Sequence, residues 1–197
     1  MDMGEKLKQY LGQKRYVHSL GVEKTAVKLA KMLRADEGKA RIAGLLHDVT
    51  KEFDPEQQKR MLSDSGVALN EAEKSSHKLL HAMTGPIVLK KDFGISDKEI
   101  LDAVRYHTTG RKDMSQLEKI LYMADFIEPS RDFEGVDELR ALTWNNFDAA
   151  LKRALQMTID EVNEKGALLH PDTIAALDFL GVGERDGEKN EAGRRTV

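Results

Sequence analysis

Apolar residues in this chain recur three and four positions apart, the spacing that lines one face of an α-helix and so limits the folds open to it. Val22, Ala26, Leu29, Ala30 and Leu33 share such a face and predict an amphipathic helix over about 14–35, with His18 on its apolar side. Ala40, Ala43, Gly44 and His47 do the same over about 37–49, so this histidine also points inward. Phe147, Leu151, Leu155, Ile159 and Val162 make a third stripe from about Asn146 to Lys165, which Gly166 can terminate and which carries no polar site residue. With 4 Pro and 15 Gly in 197 residues there is little to interrupt helices, and the expected fold class is all-α, a helical bundle.

Local signals place the other helices. Asp54-Pro55 is an N-cap followed by a proline at the first helical position and opens a short helix to about Ser63. A polar stretch then runs through Ser76 to the region of His81, where Pro86 blurs the start of the helix. Capping boxes are read at Ser96-Asp97-Lys98-Glu99 and Ser115-Gln116-Leu117-Glu118; the first helix should reach about His107 and the second end before Pro129. Pro171-Asp172-Thr173 starts a last short helix. The length suits one domain, expected over 1–182, and Gly183 to Val197 offers so little to bury that a disordered tail is expected at 183–197.

Composition narrows the chemistry. The formal charge is 31 − 34 = −3 with no long basic run, which argues against a nucleic-acid partner. The N-terminus lacks the apolar stretch of a signal peptide, and nowhere do about 18 apolar residues run together, so no membrane partner and a cytoplasmic location are expected. There is no Cys, so a tight metal site must use His nitrogen and carboxylate oxygen.

His18, His47-Asp48, His81, His107 and Asp125 each fall on or at the end of a predicted helix rather than in a polar loop. Any one such histidine, taken alone, reads as a hydrogen-bonded core residue; the recurrence favours a metal site between helices. Neighbours on a helix point about 100° apart, so His47 and Asp48 cannot both face the core unless something rewards the polar groups, as a divalent cation would. Asp125 sits in Ile120-Leu121-Tyr122-Met123-Ala124-Asp125-Phe126-Ile127, where an unpaired carboxylate is costly; the other reading there is a pair with a buried arginine. Nitrogen and carboxylate ligands suit iron, manganese or zinc, and coordination positions left open for water and a phosphate oxygen mean catalysis. His77, four residues before His81, has ligand spacing, but its polar flanks suggest exposure and it is left out.

These residues stand in four blocks: Arg15-Tyr16-Val17-His18-Ser19; Gly44-Leu45-Leu46-His47-Asp48-Val49-Thr50-Lys51; Arg105-Tyr106-His107-Thr108-Thr109-Gly110-Arg111; and Tyr122-Met123-Ala124-Asp125-Phe126-Ile127-Glu128-Pro129-Ser130-Arg131. Their order resembles the HD superfamily of metal-dependent phosphohydrolases, and more closely the bacterial symmetrical dinucleoside tetraphosphatase family, over roughly residues 10–180. The resemblance implies cleavage of diadenosine tetraphosphate into two ADP. It implies an iron centre of one or two ions, manganese or another divalent cation being the alternative. His18, His47, Asp48 and Asp125 would hold the first ion, and His81 and His107 the second, with Asp48 bridging.

The implied partners are a small-molecule nucleotide and, as a candidate homodimer, a second copy of the chain. Asp48 and Lys51 are the catalytic candidates; His18, Lys51, His81, His107, Thr108, Asp125, Arg131 and His170 are the substrate contacts. Lys51 and Arg131 read equally as phosphate-binding cations or as solvated charges. Tyr106 to Arg111 can bind phosphate or ribose, or simply cap a helix, and His170-Pro171-Asp172-Thr173 can offer N–H groups to an anion or serve as a plain cap. Two competing functions stay open: another HD phosphohydrolase activity, on guanosine tetraphosphate alarmones, cyclic nucleotides or nucleoside monophosphates, and a nucleotide sensor without turnover.

Overall fold

The chain opens with a short helix, α1 (Met3–Leu7), that carries no stripe long enough to be read from sequence; Asp2 caps it by accepting from the Gly4 N–H. The predicted first stripe then forms α2 (Gln13–Leu33), which ends at Arg34 in the left-handed conformation. The second forms α3 (Glu37–Leu46), capped by the Asp36 carboxylate on the Lys39 N–H. The structure, a computed structural model, describes the backbone of residues 2–192 and the side chains of residues 2–181, and it has helices and no strand among the described residues.

α4 (Pro55–Asp64) starts at Asp54 and Pro55 as expected, with the Asp54 carboxylate accepting from the N–H groups of Glu56 and Gln57. The polar stretch after it holds a helix the periodicity did not announce, α5 (Glu71–Ser75), with a capping box between Asn70 and Glu73. α6 (His77–Phe93) runs unbroken through Pro86. The capping box read at Ser96 is corrected: α7 (Lys98–Tyr106) is capped by Asp97, whose carboxylate accepts from the Glu99 and Ile100 N–H groups, because a cap must precede the first helical residue. The box at Ser115 and Glu118 forms as predicted and opens α8 (Gln116–Ile127).

α9 (Val136–Asn145) was not foreseen, since Gly135 starts it without a capping side chain. α10 (Phe147–Glu164) is the third stripe, burying Phe147, Leu151 and Leu155. α11 (Pro171–Ala192) is longer than the short helix expected from Pro171; of the segment expected to be a disordered tail, residues 193–197 lie outside the described residues. No described helix is long and apolar enough to cross a membrane.

Packing centres on α2, α3, α7 and α8. α2 lies against α3 and α8, α7 bridges α3, α6 and α8, α9 and α10 pack against α8, and α11 packs on α10. Leu29, Leu46, Ile120, Leu121 and Leu151 are fully buried between these layers, and each such side chain contributes about 1.5–3 kcal/mol of hydrophobic stabilisation.

α2 and α3 approach closely enough that glycine is required between them. A Cβ on Gly44 would stand 2.8 Å from the Glu23 Cα and 3.1 Å from the Val22 carbonyl oxygen, both backbone atoms with no freedom to yield. Alanine in a helix gains about 1 kcal/mol over glycine, whereas overpacking costs about 1–3 kcal/mol, so the clash wins. Gly44→Ala is therefore expected to destabilise the protein by about 1 kcal/mol or more in urea unfolding; a gain in stability would show that the two helices separate freely.

Candidate metal centre

His18 stands in the middle of α2, where the Val22 to Ala30 stripe turns its ring inward, and it is 6% exposed. His47 and Asp48 reach the core together at the end of α3. α3 stops at Leu46 rather than running to 49, and the chain proceeds through tight turns closed by Val49 N–H to the Leu46 carbonyl and Lys51 N–H to the Asp48 carbonyl. His47 keeps helical dihedrals and the end of α3 is enclosed on every side, residues 43–50 all being buried, so His47 is fully buried and Asp48 is 2% exposed.

His107 is placed by the same device as His47. Each is the residue that ends its helix, and each ring turns back so that Nδ1–H donates to the carbonyl three residues earlier, Gly44 at 2.8 Å and Val104 at 2.7 Å. Nε2 of both is then a free lone pair aimed at the centre. His81 comes from α6, fixed through its own carbonyl, which accepts from the buried Thr50 hydroxyl at 2.9 Å.

The six groups converge. His18 Nε2 lies 3.3 Å from His47 Nε2 and 3.1 Å from Asp125 Oδ1, while His81 Nε2 lies 3.0 Å from His107 Nε2. Asp48 stands between, with Oδ2 at 3.4 Å from His47 and Oδ1 at 3.0 Å from His81 and 3.7 Å from His107. Among the described residues, two trios bring ligand atoms within 4.8 Å of one another: His18, His47 and Asp125, and His47, Asp48 and His107. His47 rather than Asp48 is common to both, and His81 stands beside the second trio.

This donor set fits a divalent cation. Asp48 Oδ1 is buried and, despite its nearness to His81, has no hydrogen bond of acceptable geometry. The His18 and His47 nitrogens face each other as lone pairs, since each ring has its Nδ1 on an acceptor, Glu128 or Gly44. Two lone pairs at such a distance in a dry core repel unless a proton or a metal cation lies between them.

Electrostatics agree. Burial pushes the Asp48 carboxyl up, but His47, His107 and His81 more than offset it and hold the group well below the carboxylate range. Burial likewise acts against Asp125, and the adjacent His18 and the Arg131 charge win. Burial lowers His81 to about 4 against the pull of Asp48, and lowers His107, so both are neutral and ligand-competent at pH 7. His47 is raised, because Asp48 outweighs its burial.

Cations ring the acidic groups. Lys51 Nζ sits 3.2 Å from His81 Nε2 and 3.9 Å from Asp48 Oδ1, and burial lowers its pKa. Arg131 pairs with the Asp125 carboxylate and donates to the Asp125 carbonyl at 2.6 Å, so Asp125 faces a histidine and an arginine at once. Arg15, to which the sequence reading gave no role, donates to Asp48 Oδ2 at 2.9 Å. A cavity of about 590 Å³ opens from His107 and Asp125 past Arg131 towards Phe133 and Met157, within the usual size of a small-molecule site. Thr108 lines it with a hydroxyl oxygen that is buried and unpartnered. His170 instead bonds Asn70 at 2.9 Å and Glu73 at 3.3 Å, and His77 is exposed.

Comparison with known proteins places the geometry in context. The HD domain matches residues 15–130. The chain is 37% identical to the symmetrical bis(5'-nucleosyl)-tetraphosphatase of Bacillus subtilis, covering 88% of this chain and 93% of that protein. It is also 37% identical to the enzyme of the same name from Halalkalibacterium halodurans, over 88% of this chain and 92% of that one. A crystal structure from Clostridium acetobutylicum, described as a predicted HD superfamily hydrolase involved in NAD metabolism, superposes with a TM-score of 0.87 at 45% identity, covering 90% of this chain and 94% of that one.

The neutral state of His81 has a consequence for stability. Its folded pKa, about 4, lies below its unfolded value near 6.5, so between those values the unfolded chain binds more protons. The stabilisation is complete above about pH 6.5 and is lost as pH falls towards 4. The melting temperature of the metal-free protein should fall across that window, and His81→Asn should flatten the slope; an unchanged slope would mean that His81 does not titrate there.

Proposed function

This chain belongs to the HD domain family, and from that premise we propose that it hydrolyses dinucleoside tetraphosphates symmetrically, cleaving diadenosine tetraphosphate into two ADP. The observation that carries the reading is the buried His-Asp cluster, with Arg15, Lys51 and Arg131 against its carboxylates and a cavity opening from His107 and Asp125, in a chain similar over most of its length to enzymes with that activity.

His18, His47, Asp48 and Asp125 would hold one ion, and His81 and His107, with Asp48 between the two groups, a second. The way Asp48 divides its oxygens, Oδ2 towards His18 and His47 and Oδ1 towards His81 and His107, supports two ions. Iron is the metal of this reading, with manganese as the alternative, because imidazole and carboxylate donors suit either. When bound, such an ion supplies an acidified water and neutralises charge on the phosphoryl oxygens.

The side chains do the rest. Lys51, Arg131 and Arg15 surround the acidic ligands and offset the charge of the four-phosphate chain, which the carboxylates would otherwise repel. They hold it so that water meets the phosphorus on one side of the central bridge in line with the bridging oxygen. The new P–O bond forms as the bridging P–O bond breaks, and the bridging oxygen leaves with the other nucleoside diphosphate. A phosphate leaving group needs no strong general acid, which fits a site whose His81 and His107 are neutral. Thr108 supplies a hydroxyl to the nucleotide within the cavity.

Iron-loaded protein, prepared without oxygen, should convert diadenosine tetraphosphate to ADP alone; AMP with ATP, or no turnover, would overturn the reading. A panel with guanosine tetraphosphate alarmones and cyclic nucleotides separates it from other HD activities.

Two substitutions divide the labour. Asp48→Ala should lose both metal, by elemental analysis, and activity. Lys51→Ala should keep its metal while KM rises about tenfold or more, the worth of one charge-assisted hydrogen bond. Full metal content and rate in Asp48→Ala would refute the assignment.

A further inference from the structure

His47 and His107 are oriented by backbone carbonyls because both stand where a helix ends. His18 cannot use that device. It lies inside α2, where the carbonyls of the preceding turn are already engaged by helical N–H groups, so its Nδ1–H needs an acceptor from elsewhere. We infer that Glu128, which ends α8, is the positioning residue for His18 and thereby sets the affinity of the site for its metal.

Five observations place the carboxylate. Glu128 is 1% exposed, and Oε1 accepts from His18 Nδ1 at 2.9 Å. Oε2 accepts from the Ser130 N–H at 2.8 Å, and Oε1 also takes the Ser130 hydroxyl. The opposing helix makes room for it. Gly21, one turn beyond His18 on α2, has no side chain, and a Cβ there would collide with Oε2 and come within 3.2 Å of the carboxyl carbon. The loop that carries Glu128 is pinned as well: the Arg140 guanidinium donates to the carbonyls of Ile127 at 3.0 Å, Glu128 at 3.0 Å and Arg131 at 2.7 Å.

The consequence is chemical. A proton fixed on Nδ1 leaves Nε2 as a lone pair directed at His47 Nε2 and Asp125 Oδ1, the tautomer a metal ligand requires. Asp125 and Glu128, three residues apart on α8, act as one unit, the first as a ligand and the second as the partner that aims another ligand. The inference rests on reading His18 as a metal ligand.

The test measures Mn²⁺ dissociation constants by calorimetry on the full-length protein and its variants His18→Ala, Glu128→Ala, Glu128→Gln and Gly21→Ala. Glu128→Ala should weaken binding about 10–100-fold, the usual loss when a partner of a ligating histidine is removed. Gly21→Ala, which displaces the same carboxylate from the other side, should weaken binding in the same direction. Glu128→Gln, which keeps an acceptor for Nδ1–H, should recover part of the affinity. At saturating Mn²⁺, KM of Glu128→Gln and Gly21→Ala for diadenosine tetraphosphate should match wild type.

Nitrogen-15 shifts of His18 in the metal-free protein report the tautomer directly and should show the Nδ1–H form in wild type and a mixture in Glu128→Ala. If His18→Ala binds Mn²⁺ as wild type does, the ligand reading itself fails. If His18→Ala loses the metal while Glu128→Gln and Gly21→Ala both bind as wild type, Glu128 does not position the ligand and the inference is overturned, whether or not Glu128→Ala folds.

Discussion

A carboxylate and four imidazoles packed into a dry helical core repel one another as much as they attract, and the arrangement of α2, α3, α6, α7 and α8 depends on how that conflict is met. Asp48 lies at its centre, almost fully buried, with His47, His81 and His107 within 3.7 Å of its oxygens and one oxygen lacking a hydrogen bond. Removing such a group from water costs several kcal/mol unless charge or hydrogen bonds compensate it. Arg15 and Lys51 from the protein side compensate in part, and a divalent cation suits the remainder.

Helix ends are the means by which the site is assembled. His47 and His107 close helices, Glu128 closes α8, and each uses its position to make a contact that a helix interior would deny. Ligands on short turns beside rigid helices are held by two constraints at once, the packed helix behind them and a hydrogen bond to a neighbouring carbonyl or carboxylate. Metal sites gain affinity from such preorganisation, since less freedom is lost on binding. Gly44 and Gly21 serve the same end by letting backbone and carboxylate approach α2 more closely than any side chain would allow.

Some of this was legible in advance and some was not. His18, His47, Asp48, His81, His107 and Asp125 could be picked out because each is a polar group in an apolar, helical context, a conflict visible in one dimension. Arg15 and Thr50 carry no such mark, since an arginine in a charged stretch and a threonine after a His-Asp pair are ordinary residues until their partners are known. Glu128 stood inside a recognised block, yet only its distance to His18 gives it a role. The Asp125 alternatives, ligand or arginine partner, turned out not to exclude each other: Arg131 folds back onto the carboxylate that His18 also touches. α5 escaped notice because a helix of five residues has no room for a repeating stripe, and α9 because Gly135 starts it without a capping side chain.

By itself, then, the sequence determined the longer striped or capped helices and the kind of atoms the site could offer, because period, capping and the absence of cysteine are local properties of the chain. The tertiary structure decided which of those atoms meet. It enclosed the end of α3 so that His47 and Asp48 are both buried, and brought Glu128 to His18 across 110 residues. Proximity of that kind is set by how helices cross and where glycines let them close, and no local pattern encodes it.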